Sequence, residues 1–269
     1  MLATLTALAL LLAPSAAAAP KAVYLTNVHY GSGPQRVLDV GRPAATKPAR
    51  PAVVFIHGGG WNSGSKSSWS FALPRVVARG WVGLTIDYRL EPPAAFPAPV
   101  DDTLAAVRWI RRNAARFGVD PKRIAVVGDS AGAHLALLAA TKGAGDPQTR
   151  VAAAVSWSGP TDMTALGSGA RTDLQDNVIG FVGCAPAGCP DRFTAVSPIH
   201  FVTPATAPIL LLNSRSEVIP ASQATEMAER LRAAGVPYGL ALLPGSRHGL
   251  AYEKDAWPRT LRFLAQRLK

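Results

Sequence analysis

The sequence is poor in metal-binding cysteines and in long apolar segments. It has two cysteines in 269 residues, and no histidine lies near them, so a cysteine-based metal site is not predicted. No segment repeats at a fixed period, which excludes solenoids and propellers. No apolar run approaches the ~20 residues of a membrane-spanning helix. We expect no metal ion, no other cofactor and no stable membrane insertion.

Acidic residues are also scarce. There are 17 Asp and Glu against 28 Lys and Arg, which gives a net charge of +11. The cations are scattered, and the densest group lies at helical spacing within 108–116, as expected of the solvated face of a helix. Nucleic-acid binding is therefore not predicted. Attraction to an anionic cell wall or polymer is an alternative use of the charge.

The N-terminus resembles a secretory signal. An apolar run at 8–13 is followed by Pro14 and by four alanines at 16–19, the pattern of a signal peptide cleaved near Ala18 and Ala19. An uncleaved membrane anchor is the alternative. We expect a signal peptide at 1–18, a secreted protein, and one domain at 19–269.

Short apolar runs alternate with helical patterns along the rest of the chain. Such alternation predicts an α/β fold, a mostly parallel eight-stranded sheet with helices on both faces. Strands are predicted at 23–30, 35–40, 52–56, 82–86, 124–127, 151–155, 209–212 and 238–243. Helices are predicted at 71–78, 103–117, 133–140, 222–234 and 256–268.

The alternation of apolar runs and helical patterns is interrupted between the sixth and seventh predicted strands. Residues 160–207 are rich in Gly, Pro and Asp, and a connection of this length in a compact domain is usually functional. We interpret it as a small cap over the site. Cys184 and Cys189 fall within it, and an exported protein favours a disulfide between them. Two free thiols are the alternative.

The first candidate catalytic motif is Gly-Asp-Ser-Ala-Gly at 128–132, between a predicted strand and a predicted helix. This is the G-x-S-x-G pattern in the setting of a nucleophile elbow, a sharp turn that holds the serine outward at the edge of the sheet. The glycines leave room where side chains would collide with neighbouring backbone. Ser130 is the predicted nucleophile; an ordinary glycine-rich turn is the alternative.

The second motif, His-Gly-Gly-Gly-Trp at 57–61, directly follows the third predicted strand. Its backbone N–H groups are open to a ligand and suit the stabilisation of an oxyanion. We assign the oxyanion hole to the N–H groups of Gly59, Gly60 and Ala131. A flexible loop or a phosphate cradle is the alternative, but no Gly-Lys-Ser/Thr follows to support a P-loop.

The base and the acid are predicted from chain order. His248 follows the last predicted strand, after both the nucleophile and a carboxylate, which is the order of a nucleophile-elbow enzyme. Glu217 is the only carboxylate in the loop after the seventh predicted strand. We assign it to orient the imidazole of His248 and to stabilise its charged form. A surface histidine without a catalytic role is the alternative for His248.

With these motifs the chain resembles the hormone-sensitive-lipase-type branch of the α/β-hydrolases. The resemblance also covers Asp-Tyr-Arg-Leu at 87–90, Phe-Pro-Ala at 96–98, Asp-Asp at 101–102 and Phe-Gly-Val-Asp-Pro at 117–121. It implies hydrolysis of carboxylic esters by a Ser-His-acid triad, without metal or cofactor. It also implies that the group at 87–102 is architectural.

The chain departs from that family in two ways. The family's large N-terminal cap has no counterpart, and in length and at 61–64 the chain also resembles smaller secreted carbohydrate and feruloyl esterases. We therefore expect a small-molecule or carbohydrate ester as substrate. Ser216 occupies the position of the usual aspartate, with Glu217 beside it. An amide or peptide hydrolase, similar to an arylformamidase or a small exopeptidase, and a catalytically silent binding protein are the alternatives.

Overall fold

A computed structural model describes residues 21–168 and 172–269. The predicted signal peptide at 1–18 lies outside the described residues, as do positions 169–171 of the predicted cap. Across the described ranges, every helix is too short or too polar to cross a membrane.

The described residues form one sheet of eight strands. In chain order they are Ala22–His29 (β1), Val37–Pro43 (β2), Arg50–Ile56 (β3), Val82–Ile86 (β4), Val119–Asp129 (β5), Ala153–Trp157 (β6), Ile209–Ser214 (β7) and Tyr238–Leu243 (β8). Their spatial order is β1-β2-β4-β3-β5-β6-β7-β8. β2 pairs antiparallel with β1 and with β4, and every other neighbouring pair is parallel. The predicted fold class is confirmed.

The α-helices of the described residues are Ala72–Val77 (α1), Ala98–Arg112 (α2), Ala114–Phe117 (α3), Ala131–Thr141 (α4), Met163–Gly167 (α5), Asp173–Val182 (α6), Pro190–Val196 (α7), Ala221–Ala233 (α8) and Glu253–Arg267 (α9). The helix predicted at 103–117 is two helices, because the chain leaves helical geometry at Asn113, with φ −99° and ψ 15°. The strand predicted at 151–155 begins two residues later than expected.

The sheet separates two hydrophobic cores, as alternating side chains of a strand buried on both faces require. In β3, Val54 and Ile56 belong to the core that also contains side chains of α2, α4 and α8. Val53 and Phe55 point to the other face and pack with α1 and α9. Burial on both faces fixes the register of the central strands, and this positions the loops at their carboxyl ends.

The predicted cap between β6 and β7 contains three short helices, α5, α6 and α7, that composition alone did not predict. Two of them carry side-chain N-caps, which stabilise short helices by satisfying free backbone N–H groups. Asp162 accepts hydrogen bonds from the N–H groups of Thr164 and Ala165, and the Thr172 side chain accepts one from the Gln175 N–H. The structure pairs Cys184 with Cys189 just after α6, with their Cα atoms 6.3 Å apart.

Candidate active site

Ser130 lies in the sharp turn that joins the end of β5 to the start of α4. Its φ of 51° and ψ of −121° are rare for a residue with a side chain and are typical of a strained functional turn. A Cβ at Gly128 would lie 2.3 Å from the carbonyl oxygen of Gly132, and a Cβ at Gly132 would lie 2.1 Å from that of Ile56. Both glycines are therefore required for the turn, as the motif predicts.

The glycine loop at 57–61 lies beside this turn. The Gly58 N–H donates to Asp129 Oδ1 at 3.0 Å, and the Tyr88 hydroxyl donates to the His57 carbonyl at 2.9 Å. Among the described residues, none accepts a hydrogen bond from the N–H groups of Gly59, Gly60 or Ala131. The three predicted oxyanion donors are thus available to a ligand.

Asp129 ties the turn to its surroundings through a buried carboxylate. Its Oδ1 also accepts a hydrogen bond of 2.8 Å from the Trp69 indole N–H. Burial raises the pKa of Asp129, and the hydrogen bonds from Trp69 and Gly58 and the charge of His248 oppose that rise. Asp129 therefore holds the glycine loop against the serine turn and takes no part in the predicted triad.

His248 and Glu217 are in contact. His248 Nδ1 is hydrogen-bonded to Glu217 Oε2, and the glutamate side chain is completely buried while that of His248 is 32% exposed. Glu217 Oε1 accepts hydrogen bonds from the Ser214 N–H at 2.7 Å and from the Ser158 hydroxyl at 2.8 Å. The longer glutamate side chain thus reaches the imidazole although Ser216 occupies the usual acid position.

Ser158 is a member of the site that the sequence reasoning missed. It directly follows β6, is fully buried, and has φ +58°. Its hydroxyl accepts a hydrogen bond of 3.0 Å from the Gly249 N–H and lies 2.7 Å from the Tyr252 hydroxyl. Burial raises the pKa of Tyr252, so that hydroxyl stays protonated. The position of Ser158 directly after a predicted strand could have indicated it, because the residues that face a ligand in parallel sheets follow the carboxyl ends of the strands.

Ser130 and His248 line one cavity of about 170 Å³. Gly60 is on its wall, and the predicted donors Gly59 and Ala131 are chain neighbours of lining residues. The remaining lining residues come mainly from the glycine loop, from the predicted cap and from the loop after β7. They are Trp61, Pro160, Asp173, Leu174, Asn177, Val218 and Ile219.

The predicted cap covers this cavity through α6. Asp173, Leu174 and Asn177 line the wall, and Asn177 Oδ1 accepts a hydrogen bond of 2.8 Å from the Asn62 side chain. A Cβ at Gly60 would lie 2.8 Å from the Asn177 amide nitrogen. The cap therefore closes directly over the glycine loop.

Two other histidines are buried near the site. His57 stacks on Tyr88 with ring centroids 4.4 Å apart, and burial lowers the pKa of His57. His134, in α4, lies between the Trp61 indole N–H, 3.2 Å from its Nδ1, and the Val196 carbonyl, 2.7 Å from its Nε2. Burial lowers the pKa of His134 to about 4. Both imidazoles have partners within the protein and are poor candidates for a catalytic base.

The group at 87–102 forms a hydrogen-bond network next to the glycine loop. The Arg89 guanidinium donates two hydrogen bonds to Asp102, at 2.7 and 2.8 Å, and the Arg89 N–H donates a third at 3.0 Å. Asp87 accepts one of 2.6 Å from the Lys66 N–H. No group of three or more His, Cys, Asp or Glu among the described residues is arranged to hold a metal ion.

Comparison with known families agrees with this geometry. The sequence profile of the BD-FAE family matches residues 38–231, which run from the second residue of β2 to near the end of α8. The chain belongs to the BD-FAE family. The matched segment contains the glycine loop, Ser130, the cap and Glu217, and it ends before His248.

Relatives and solved structures carry esterase names. The chain is 38% identical over 245 residues to Esterase LipC of Mycobacterium tuberculosis, covering 84% of this chain and 60% of that protein. The chain thus spans less than two thirds of the length of this curated relative.

Solved structures match over nearly the whole chain. A truncated carbohydrate esterase from gut microbiota superposes with a TM-score of 0.80 at 26% identity, over 93% of this chain and 98% of its own. A thermophilic esterase of Thermogutta terrifontis gives 0.73 at 26% identity, over 93% of each chain. These similarities confirm the expected α/β-hydrolase fold.

Proposed function

We propose that this BD-FAE family member hydrolyses carboxylic esters through an acyl-enzyme on Ser130. His248 is the general base, and Glu217 orients its imidazole and stabilises its cationic form. The observation that carries the proposal is the hydrogen bond between His248 Nδ1 and the buried Glu217 carboxylate, in a cavity that Ser130 also lines. Because Nδ1 is bound to the carboxylate, Nε2 remains for the serine hydroxyl.

The reaction follows from these assignments. His248 accepts the hydroxyl proton as Ser130 Oγ attacks the ester carbonyl carbon, and the carbonyl oxygen becomes an oxyanion. The N–H groups of Gly59, Gly60 and Ala131 bind that oxyanion. When the carbon–oxygen bond breaks, His248 protonates the departing alcohol. Water activated by His248 then hydrolyses the acyl-enzyme and releases the acid.

The substrate that fits best is a short-chain or carbohydrate-linked ester. The cavity of about 170 Å³ is smaller than the ~300–1,000 Å³ of typical ligand pockets, which favours a small acyl group. Its wall combines apolar Leu174, Val218 and Ile219 with polar Asp173 and Asn177. The similarity to a protein named as a carbohydrate esterase supports the sugar-linked alternative.

We also propose that the mature protein is secreted and contains a Cys184–Cys189 disulfide. The pairing of the two cysteines supports an oxidising compartment, because disulfides are rare in the cytosol. A mass two units lower than after reduction, measured on protein purified from the culture medium, tests both statements.

Hydrolysis of p-nitrophenyl acetate tests the catalytic proposal. Ser130→Ala is expected to lower kcat by several orders of magnitude, since loss of a nucleophile removes the covalent route. A fluorophosphonate probe should label the wild type at Ser130. The matched control is Ser216→Ala, an exposed serine, which should keep wild-type activity. Activity retained by folded Ser130→Ala protein contradicts the proposal, and loss of activity in Ser216→Ala contradicts the assignment of the acid.

A further inference from the structure

A large cavity lies at the end of the sheet opposite to Ser130. It has a volume of about 600 Å³ and is formed by the loop before β3, the junction of α2 with α3, and the start of β5. Val119 lines it at the first residue of β5, whereas Ser130 follows the last residue of that strand. At ~3.3 Å per residue the two sites are separated by roughly 35 Å.

This groove is lined by cations and by apolar groups. Lys47, Arg111 and Arg112 line it, together with small apolar groups such as Pro48 and Ala114. A second cavity of about 420 Å³ shares Arg111 with the first and adds Lys122 and Arg150. No carboxylate lines either cavity.

None of the five cations forms a salt bridge with a carboxylate among the described residues, although Asp146 is close enough to favour the charged form of Arg111, and Lys122 that of Asp120. Arg111 is also held rigidly. The Arg111 guanidinium donates to the backbone carbonyls of Pro121, Gln148 and Arg150, so it keeps its full charge and two further N–H groups. A guanidinium fixed in this way loses little conformational entropy when it binds an anion.

The carboxylates nearest in sequence form salt bridges with arginines that do not line the two cavities. Asp120 pairs with Arg123 at 2.7 Å, and Asp146 pairs with Arg108 at 3.4 Å. The groove and its neighbour therefore form a continuous positive surface on a protein that is basic as a whole.

We propose that this surface, the basal groove, binds a polysaccharide that carries uronic-acid carboxylates. The carboxylates meet Lys47, Arg111 and Arg112, and the C–H faces of the sugar rings lie on apolar lining residues such as Pro48 and Ala114. No aromatic side chain lines either cavity, whereas single-stranded nucleic acids are bound largely by stacking on aromatic rings. A concave cavity also fits a single polymer chain better than a flat lipid surface.

Binding at the basal groove leaves the active-site cavity free, so the protein can be retained on an acidic polymer while it acts on small substrates. The inference does not depend on the proposed esterase activity, because it concerns other residues and another ligand.

The test compares two variants of the full chain that lose the same charge. The groove variant carries Lys47→Gln, Arg112→Gln and Lys122→Gln. The control variant carries Lys254→Gln, Arg259→Gln and Arg262→Gln, which are exposed and lie on α9, against the opposite face of the sheet. Each set removes three positive charges.

Affinity for polygalacturonate is measured by affinity electrophoresis at low ionic strength, with a neutral galactan as the reference polymer. Because each exposed charge contact contributes modestly, the groove variant is expected to bind about tenfold more weakly, and the control variant less than twofold. Both should hydrolyse p-nitrophenyl acetate like the wild type. Equal weakening in both variants, no weakening in either, or tighter groove-dependent binding of single-stranded DNA overturns the proposal.

Discussion

Replacing His134 with glutamine is expected to reduce the loss of stability between pH 6.5 and 4. The imidazole is fully buried in α4, its Nδ1 accepts from the Trp61 indole N–H, and its Nε2–H donates to the Val196 carbonyl. A second proton would be placed on Nδ1, where it would face the indole N–H of Trp61. Two donors would then point at each other in a buried site, which is unfavourable. The folded protein therefore keeps His134 neutral.

The size of the effect follows from the two pKa values. Burial lowers the pKa of His134 to about 4 from an ordinary value of 6.5, so between these values the unfolded chain binds a proton that the folded chain does not. The free energy of unfolding then falls as the pH falls through this window. The loss is about 3 kcal/mol in total, at 1.36 kcal/mol per pKa unit.

Other buried groups titrate in or near the same window. Burial lowers the pKa of His57, which contributes with the same sign, whereas burial raises the pKa of Asp129, which contributes with the opposite sign. The difference between wild type and His134→Gln cancels both contributions, because neither group contacts His134 directly.

Urea unfolding followed by tryptophan fluorescence at about pH 7.5 and about pH 4.5 measures the prediction. The variant should be less stable than the wild type at the higher pH, because glutamine does not reproduce both hydrogen bonds, but it should lose ~2–3 kcal/mol less on acidification. His200→Gln, an exposed histidine of the cap, should behave like the wild type. Equal losses in wild type and His134→Gln would refute the reasoning.

The remaining predictions concern the acid of the triad. Glu217→Gln should lower kcat for p-nitrophenyl acetate by up to ~10⁴, as loss of a triad carboxylate does elsewhere. The control Glu226→Gln, on the exposed face of α8, should leave kcat unchanged. A negligible effect of Glu217→Gln would assign the role of the acid to another group. Ser158→Ala removes a hydrogen bond to a charged carboxylate, which typically contributes ~1.5–3 kcal/mol, and should lower kcat about tenfold or more with little change in KM. Unchanged kcat in folded Ser158→Ala protein would mean that Ser214 alone positions Glu217.

The strands and the serine turn were predictable because their signals are local. The run at 82–86 matches β4 to the residue, since all five residues of β4 are buried and continuous burial favours a continuous apolar sequence. The run at 238–243 also matches β8, although β8 is an edge strand in which Tyr238 and Leu240 are exposed. The glycines at 128 and 132 are likewise dictated by contacts a few residues away or in the adjacent strand. Local pattern was therefore enough to predict the sheet and the turn that carries Ser130.

The helices of the cap and the partners of Glu217 were not predictable in this way. α5 and α7 are five and seven residues long, too short to show helical periodicity, and isolated helices of that length are unstable without tertiary packing. Ser158 and Gly249 are 91 residues apart in the chain, so only the register of β6 relative to its neighbours brings them together. The N-caps Asp162 and Thr172 were the local signs of helices in this region.

The register of β6 relative to its neighbours also explains how a glutamate can replace the usual aspartate. β6, β7 and β8 are parallel neighbours, so the residues that follow them emerge side by side at one edge of the sheet. The hydroxyl of Ser158, just after β6, and the N–H of Ser214, at the end of β7, both donate hydrogen bonds to Glu217 Oε1. Glu217 Oε2 is therefore available to His248, which follows β8. The extra methylene of glutamate adds a freely rotating bond, and two donors on one oxygen restrict that rotation. Ser216→Asp in a Glu217→Gln background should therefore recover little of the kcat for p-nitrophenyl acetate, because Ser158 and the Ser214 N–H bind the side chain at position 217.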